Sequence, residues 1–119
     1  MNTSHPVWRS LLYVPANNPR FIAKAHLRGA DGIILDLEDS VPNSELDAAR
    51  KALCGSAVSA SQNGADVLIR INDPDDLAVD DIDAAVFDGV AAILVTKARD
   101  ADHVRAISAR VSELSLIHI

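Results

Sequence analysis

The segment Asp31-Gly-Ile-Ile-Leu-Asp-Leu-Glu-Asp-Ser-Val41 holds the densest group of chemically able side chains in the sequence. Its apolar run, Ile33 to Leu35, reads as a buried strand that delivers Asp36, Glu38 and Asp39 at its C-terminal end. In a barrel of parallel strands, that end is where active-site groups gather. Carboxylates crowded in this way repel one another unless a cation, an arginine or a set of hydrogen-bond donors offsets the charge. A plainer role is an acidic loop capping the next helix. Arg70 is the matching cation. It interrupts an otherwise apolar run, Leu68-Ile-Arg-Ile71, and a buried guanidinium is costly without an anion. Two partners suit it: the Asp36, Glu38 and Asp39 carboxylates on a neighbouring strand, or a substrate carboxylate gripped by two hydrogen bonds.

A second basic group, Arg9, Arg20 and Lys24, lies around the first strand and its helix. The helix N-terminus adds its own partial positive charge there. This group suits an anionic ligand, or it is a solvated basic face. Lys97 follows the fourth apolar run. The histidines, His5, His26, His103 and His118, show no ligand spacing, and none is assigned a role. Cys54 is the single cysteine, so no internal disulfide can form; within a helical pattern it reads as a small helix residue.

The elements that position these groups follow from apolar runs and turn residues. Residues 1–8 read as a loose leader. Leu11 to Val14 form a first strand closed by Pro15. Asn18 and Pro19 then start a helix, as N-cap and first helical residue, which is expected to reach Arg28 and stop at Gly29. Phe21, Ile22 and Ala25 share the face expected to pack on the sheet. The second strand covers Gly32 to Leu37. Ser44 followed by Asp47 resembles a capping box, opening a helix with Leu46, Ala49 and Leu53 inward that ends near Ala60. Asp66 to Ile71 form a third strand, nearly all apolar, as suits strands buried on both faces of a parallel sheet. Asp80 or Asp81 is expected to cap a short helix with Ile82, Ala85 and Val86 inward, ended by Gly89. Val90 to Val95 make the fourth strand, and Asp100 caps a last helix with Ala101, Val104, Ile107 and Val111 on one face. Four βα units in series predict an α/β fold with a parallel sheet and right-handed crossovers.

A chain of 119 residues is long enough for one small domain with a modest core. Its net charge of −6 argues against a nucleic-acid binder, which needs a basic face. Aromatic residues make up 3% of the chain, too few for base-stacking platforms. No run approaches the length of a membrane span, the N-terminus lacks the apolar core of a signal peptide, and cysteine usage fits a reducing cytoplasm.

Four pieces recur in a fixed order: Arg9-Ser-Leu-Leu-Tyr-Val-Pro-Ala-Asn-Asn-Pro-Arg-Phe21 with Lys24 and Ala25; the Asp31–Val41 segment; Leu68-Ile-Arg-Ile-Asn72; and Gly89-Val-Ala-Ala-Ile-Leu-Val-Thr-Lys97. In this order and spacing the chain resembles the citrate lyase beta subunit and malyl-CoA lyase family, the HpcH/HpaI aldolases, over about residues 9 to 113. The resemblance implies the N-terminal half of a TIM (β/α)8 barrel, with 1–113 as a partial lyase domain, since eight strands need roughly twice this length. It implies Mg²⁺-dependent carbon–carbon cleavage, by a retro-aldol or retro-Claisen step, of a 3-hydroxyacyl-CoA such as citryl-CoA or malyl-CoA. Other outcomes are a non-catalytic acyl-CoA-binding module and an aldolase acting on free hydroxy-keto diacids. By resemblance, Arg70 contacts the carboxylate or carbonyl end of the substrate. Arg9, Arg20 and Lys24 lie beside coenzyme A. The metal is held by a glutamate and an aspartate beyond residue 119. Asp36, Glu38 and Asp39 would then serve catalysis indirectly, with Glu38 and Asp39 holding metal-bound waters or orienting Arg70. The full-length protein is expected to be a homo-oligomer. The family pattern L-P-K-x-E becomes Val95-Thr-Lys-Ala-Arg99, so the proline and glutamate are absent and the role of Lys97 is left open.

The last six residues, Leu114-Ser-Leu-Ile-His-Ile119, match the in-frame translation of a transposase sequencing adapter, CTGTCTCTTATACACATC. Residues 114–119 are therefore expected to be a non-native tail; the alternative is an apolar strand beginning there.

Overall fold

A computed structural model describes residues 7–73 and 75–117. Four strands, β1 (Leu11–Pro15), β2 (Gly32–Asp36), β3 (Asp66–Arg70) and β4 (Val90–Leu94), alternate with four helices, α1 (Pro19–Ala25), α2 (Asn43–Ala60), α3 (Asp75–Ala85) and α4 (Ala101–Ile117). The strands form one parallel sheet in the order β1-β2-β3-β4. The four expected βα units are present, arranged as at the start of a TIM-barrel-like aldolase domain. Most of the expected leader, with His5, and the end of the expected tail, with His118, lie outside the described residues.

Register explains the two faces of the sheet. Tyr13, Ile34 and Leu68 stand side by side, as do Pro15, Asp36 and Arg70 one pleat further on. Neighbours in a parallel register share a face. The alternate residues Val14, Ile33, Leu35, Val67 and Ile69 turn the other way and form the main core with Ile22 and Ala25 of α1 and Leu46, Ala49, Leu53 and Ala57 of α2. A smaller core joins Ile71, Ala78 and Ile82 to Ile107 of α4. The helices thus cover one face, as same-handed crossovers between successive strands require. The opposite, inner face leaves Tyr13 52% exposed.

Helix boundaries correct several expectations. Asn18 does cap α1, its side chain accepting from the Phe21 amide at 3.1 Å, but α1 ends at Ala25, and the Leu27 and Arg28 amides bond back to Lys24 and Ala25 in tighter turns before Gly29, at φ +78°. Phe21 faces solvent. The Ser44–Asp47 capping box does not form: Pro42 precedes the first residue of α2, with no side-chain cap. The third helix starts at Asp75, so Asp81 is no cap but lies mid-helix and fully buried. Leu77, Ala78, Ile82 and Ala85 supply its inward face. Asp100 caps α4, accepting from the His103 amide at 2.8 Å. The buried side of α4 runs through His103 and Ile107, while Val104 is exposed. The helix continues through Ile117, so no strand begins at Leu114, which packs on the smaller core.

Candidate functional site

The parallel register of β2 and β3 sets Asp36 opposite Arg70 at the C-terminal edge of the sheet. Both lie on the inner face, away from the helices. The guanidinium donates from Nε to one Asp36 oxygen at 2.8 Å and from Nη2 to the other at 2.9 Å. Asp36 also accepts the Glu38 amide at 2.9 Å and the Ser40 amide and hydroxyl at 3.3 and 2.7 Å. The loop after β2 therefore wraps around this one carboxylate. Burial pushes the Asp36 carboxyl upward, but the Arg70 guanidinium, the Glu38 amide and the Ser40 hydroxyl together hold it below the usual carboxylate range. Asp36 in turn, against the cost of burial, raises the guanidinium's affinity for its proton.

Glu38 and Asp39 complete the group. Nη2 of Arg70 lies 3.8 Å from a carboxylate oxygen of each. The Glu38 side chain is largely buried and accepts from Lys97 Nζ at 3.0 Å. That bond pushes the Lys97 amine above its ordinary value, which disfavours a Schiff-base role, since only the neutral amine attacks a carbonyl. Lys97 sits at φ +52°, a conformation that costs a side-chain-bearing residue roughly 1–2 kcal/mol. Beneath Arg70, the Tyr13 ring centroid lies 4.8 Å from the guanidinium carbon, close enough for cation–π attraction. Tyr13, Pro15, Asp36, Ser40 and Arg70 line an open cleft of about 350 Å³.

The carboxylates expected to meet Arg70 do so. The second basic group does not join them. Arg9 lies just before β1, at the opposite end of the strands, paired through Nε with Asp31 at 2.9 Å. The hydrogen bond from Arg9 lowers the Asp31 carboxyl to about 2. Arg20 and Lys24 are exposed on α1, and neither bonds to the carboxylates. Cys54 is exposed on α2. Sequence reasoning missed Tyr13 and Ser40; strand alternation would have placed Tyr13 on the inner face of β1, and the Asp-x-x-x-Ser spacing marks a turn closed by side-chain bonds.

The carboxylates do not fit a bound cation as its ligand set. All the polar capacity of Asp36 is directed at five donors, Glu38 is bridged to Lys97 and Arg70, and Asp39, at 3.8 Å from Arg70, is mostly exposed. Among the described residues, no group of three His, Cys, Asp or Glu side chains is arranged to hold a metal ion. No described helix is long and apolar enough to cross a membrane.

Four parallel βα units, with Asp36 and Arg70 at the C-terminal edge of the strands, form an α/β architecture consistent with the start of a TIM-barrel-like domain. The sequence pattern of the HpcH/HpaI aldolase/citrate lyase family matches residues 9–115, and the chain belongs to that family. It is 34% identical over 114 residues to a (3S)-malyl-CoA thioesterase of Cereibacter sphaeroides strain KD131, covering 95% of this chain and 40% of that protein. It is 30% identical over 106 residues to the citrate lyase subunit beta of Leuconostoc mesenteroides subsp. cremoris, covering 88% of this chain and 35% of that protein. With the Escherichia coli K12 citrate lyase subunit beta the figures are 29% over 104 residues, 87% and 34%. The chain thus spans little more than a third of the length of these curated relatives.

Proposed function

We propose that these βα units are the N-terminal part of a carbon–carbon lyase that cleaves a 3-hydroxyacyl-CoA of the malyl-CoA or citryl-CoA type. The carrying observation is the state of Arg70. Its Nε–Nη2 edge is fixed by Asp36, while Nη1 has no partner among the described residues, beside the open cleft. A locked guanidinium with a free nitrogen is suited to orient the carboxylate of the departing keto acid. Asp36 is then a positioning residue, because its lowered pKa and full set of donors make it a poor proton acceptor at neutral pH. Glu38 and Lys97 set the local charge beside it. A Mg²⁺ ion, when bound, would supply charge stabilisation to the developing enolate, with ligands other than these carboxylates.

A second reading, hydrolysis of the same thioester, is favoured by the likeness to a malyl-CoA thioesterase. One assay separates them. A protein carrying this sequence at the length of its relatives is given malyl-CoA or citryl-CoA. Lyase chemistry releases a keto acid and an acyl-CoA, whereas hydrolysis releases a free thiol and the intact hydroxy acid. Arg70→Lys should lower turnover strongly in either case, since a point charge does not reproduce the held planar fork. Unchanged kinetics in that variant would remove Arg70 from the reaction.

A further inference from the structure

Away from the cleft, on the helix side of the same strand ends, a buried polar network is unused by the chemistry above. Asp81 is fully buried in α3. One of its oxygens accepts from Arg50 Nε of α2 at 2.7 Å. The other accepts both the backbone amide and the side-chain Nδ2 of Asn72, at 2.8 and 2.7 Å. The same Nδ2 donates its second hydrogen to the Leu37 carbonyl at 2.9 Å. Arg50 is tied in turn to the Leu77 carbonyl at 3.3 Å.

The addresses of these bonds matter more than their number. Asn72 lies two residues beyond Arg70, and Leu37 separates Asp36 from Glu38. One amide nitrogen therefore joins the chain that carries the guanidinium to the chain that carries its carboxylates, just past the last ladder bonds from Leu37 to Arg70 and from Ile71 to Leu94. Thr96 extends the tie, donating to the Ile71 carbonyl at 2.6 Å, one residue before Lys97. A buried carboxylate without partners costs several kcal/mol, and Arg50 and Asn72 together supply the partners that offset that cost for Asp81.

We infer that Asp81 is a positioning residue for the Arg70 site: through Asn72 it locks the loops after β2 and β3 at the relative height that pairs Arg70 with Asp36 and Glu38. The inference rests on the reading of Arg70 as a carboxylate-orienting group, yet it is testable apart from it. Asp81→Asn keeps the volume and removes one acceptor oxygen. Leu53→Ala opens a cavity at a fully buried core position of α2 that has no bond to Asn72, and so reports stability loss alone.

The test follows the Arg70 Nε–Hε resonance by NMR in the 119-residue chain, with glyoxylate as the probe carboxylate. Asp81→Asn should move that resonance and weaken glyoxylate binding on the order of 10-fold, because small displacements of orienting groups are amplified in this way. Leu53→Ala should lower the urea midpoint and leave both readouts in place. Should Asp81→Asn not fold, Asn72→Ala replaces it: the backbone bond to Asp81 stays, and the two side-chain bonds from Asn72 Nδ2, to Asp81 and to Leu37, are lost. An Arg70 resonance unmoved in a folded Asp81 or Asn72 variant overturns the inference. If instead Arg70→Lys binds glyoxylate as well as the parent chain, the substrate reading of Arg70 fails, and the resonance comparison alone decides the role of Asp81.

Discussion

Replacing Asp36 with alanine should be the most damaging single change at the strand edge. Asp36 is 3% exposed and accepts from Arg70 twice, from the Glu38 amide and from Ser40 twice. Its loss strands a largely buried guanidinium, whose side chain is 21% exposed, with only Glu38 and Asp39 at 3.8 Å. Removing one partner of a buried pair costs about 3–5 kcal/mol. The partial exposure of Arg70 and the two flanking carboxylates put this case at the low end, about 3 kcal/mol. Against a typical stability of about 5–15 kcal/mol that is a large fraction. With a urea slope of about 1.5 kcal/mol per molar, the midpoint should fall by about 2 M. The joint change Asp36→Leu with Arg70→Leu should cost less than Asp36→Ala alone, because it leaves no unpaired charge. The pH dependence gives a second handle. The folded Asp36 carboxyl lies below its ordinary 3.8, so its stabilising contribution is present above that value and is lost as pH falls through the folded value. The alanine variant should lack that decline. A loss under about 1 kcal/mol, or acid unfolding curves that run parallel in the two proteins, would refute the reasoning.

Arg9→Ala should let the Asp31 carboxyl rise from about 2 toward its ordinary 3.8, read by NMR titration, and should leave the Arg70 cleft unchanged; a weakened ligand at the cleft would place Arg9 in the site after all. Lys97→Gly and Lys97→Ala both delete the bond to Glu38, but only glycine is at ease at φ +52°, so the glycine variant should unfold at higher urea; equal midpoints would count against strain there. The exposed inner-face residues Leu11 and Tyr13 should make the 119-residue chain self-associate in sedimentation velocity, and Leu11→Lys should reduce it, whereas a concentration-independent monomer would contradict this. Titration calorimetry of the same chain with Mg²⁺ should show no tight binding, and a tight site would show that the carboxylates rearrange to hold the ion.

The strands were legible because their signals are local: short apolar runs, each closed by a polar or turn-forming residue, and each delivered in the same direction. The pairing of Arg70 with Asp36 was legible for a related reason. A lone arginine inside a buried strand demands an anion, and the neighbouring strand ended in several. What escaped was set by distant partners. Asp80-Asp81 reads as a helix cap when seen alone, and nothing within ten residues shows that Arg50, 31 positions earlier, holds Asp81 inside the fold. Phe21 reads as inward by hydrophobicity, yet α1 is a short helix that presents Ile22 and Ala25 to the core and leaves the ring outside. Arg9 reads as a ligand contact because it opens a strand, but a strand has two ends, and Asp31 meets it at the wrong one for the cleft.

The same geometry divides the carboxylates by what each is free to do. Asp36 is held by donors on every side and serves to fix Arg70. Glu38 is largely buried between Arg70 and Lys97, so any movement of it must break a bond to one cation or strengthen the bond to the other. Asp39 is 72% exposed on its side chain, approaches Arg70 at 3.8 Å and acts on Lys97 only through space. It can swing toward solvent without breaking a hydrogen bond. Three carboxylates against Arg70 and Lys97 leave one negative charge in excess, which opposes an incoming anion. Turning Asp39 outward removes that excess at the smallest structural cost and leaves the guanidinium flanked by Asp36 and Glu38, with Nη1 facing the cleft. On this argument Asp39→Asn should tighten the binding of a small carboxylate, whereas Asp36→Asn should loosen it, although both substitutions remove the same charge.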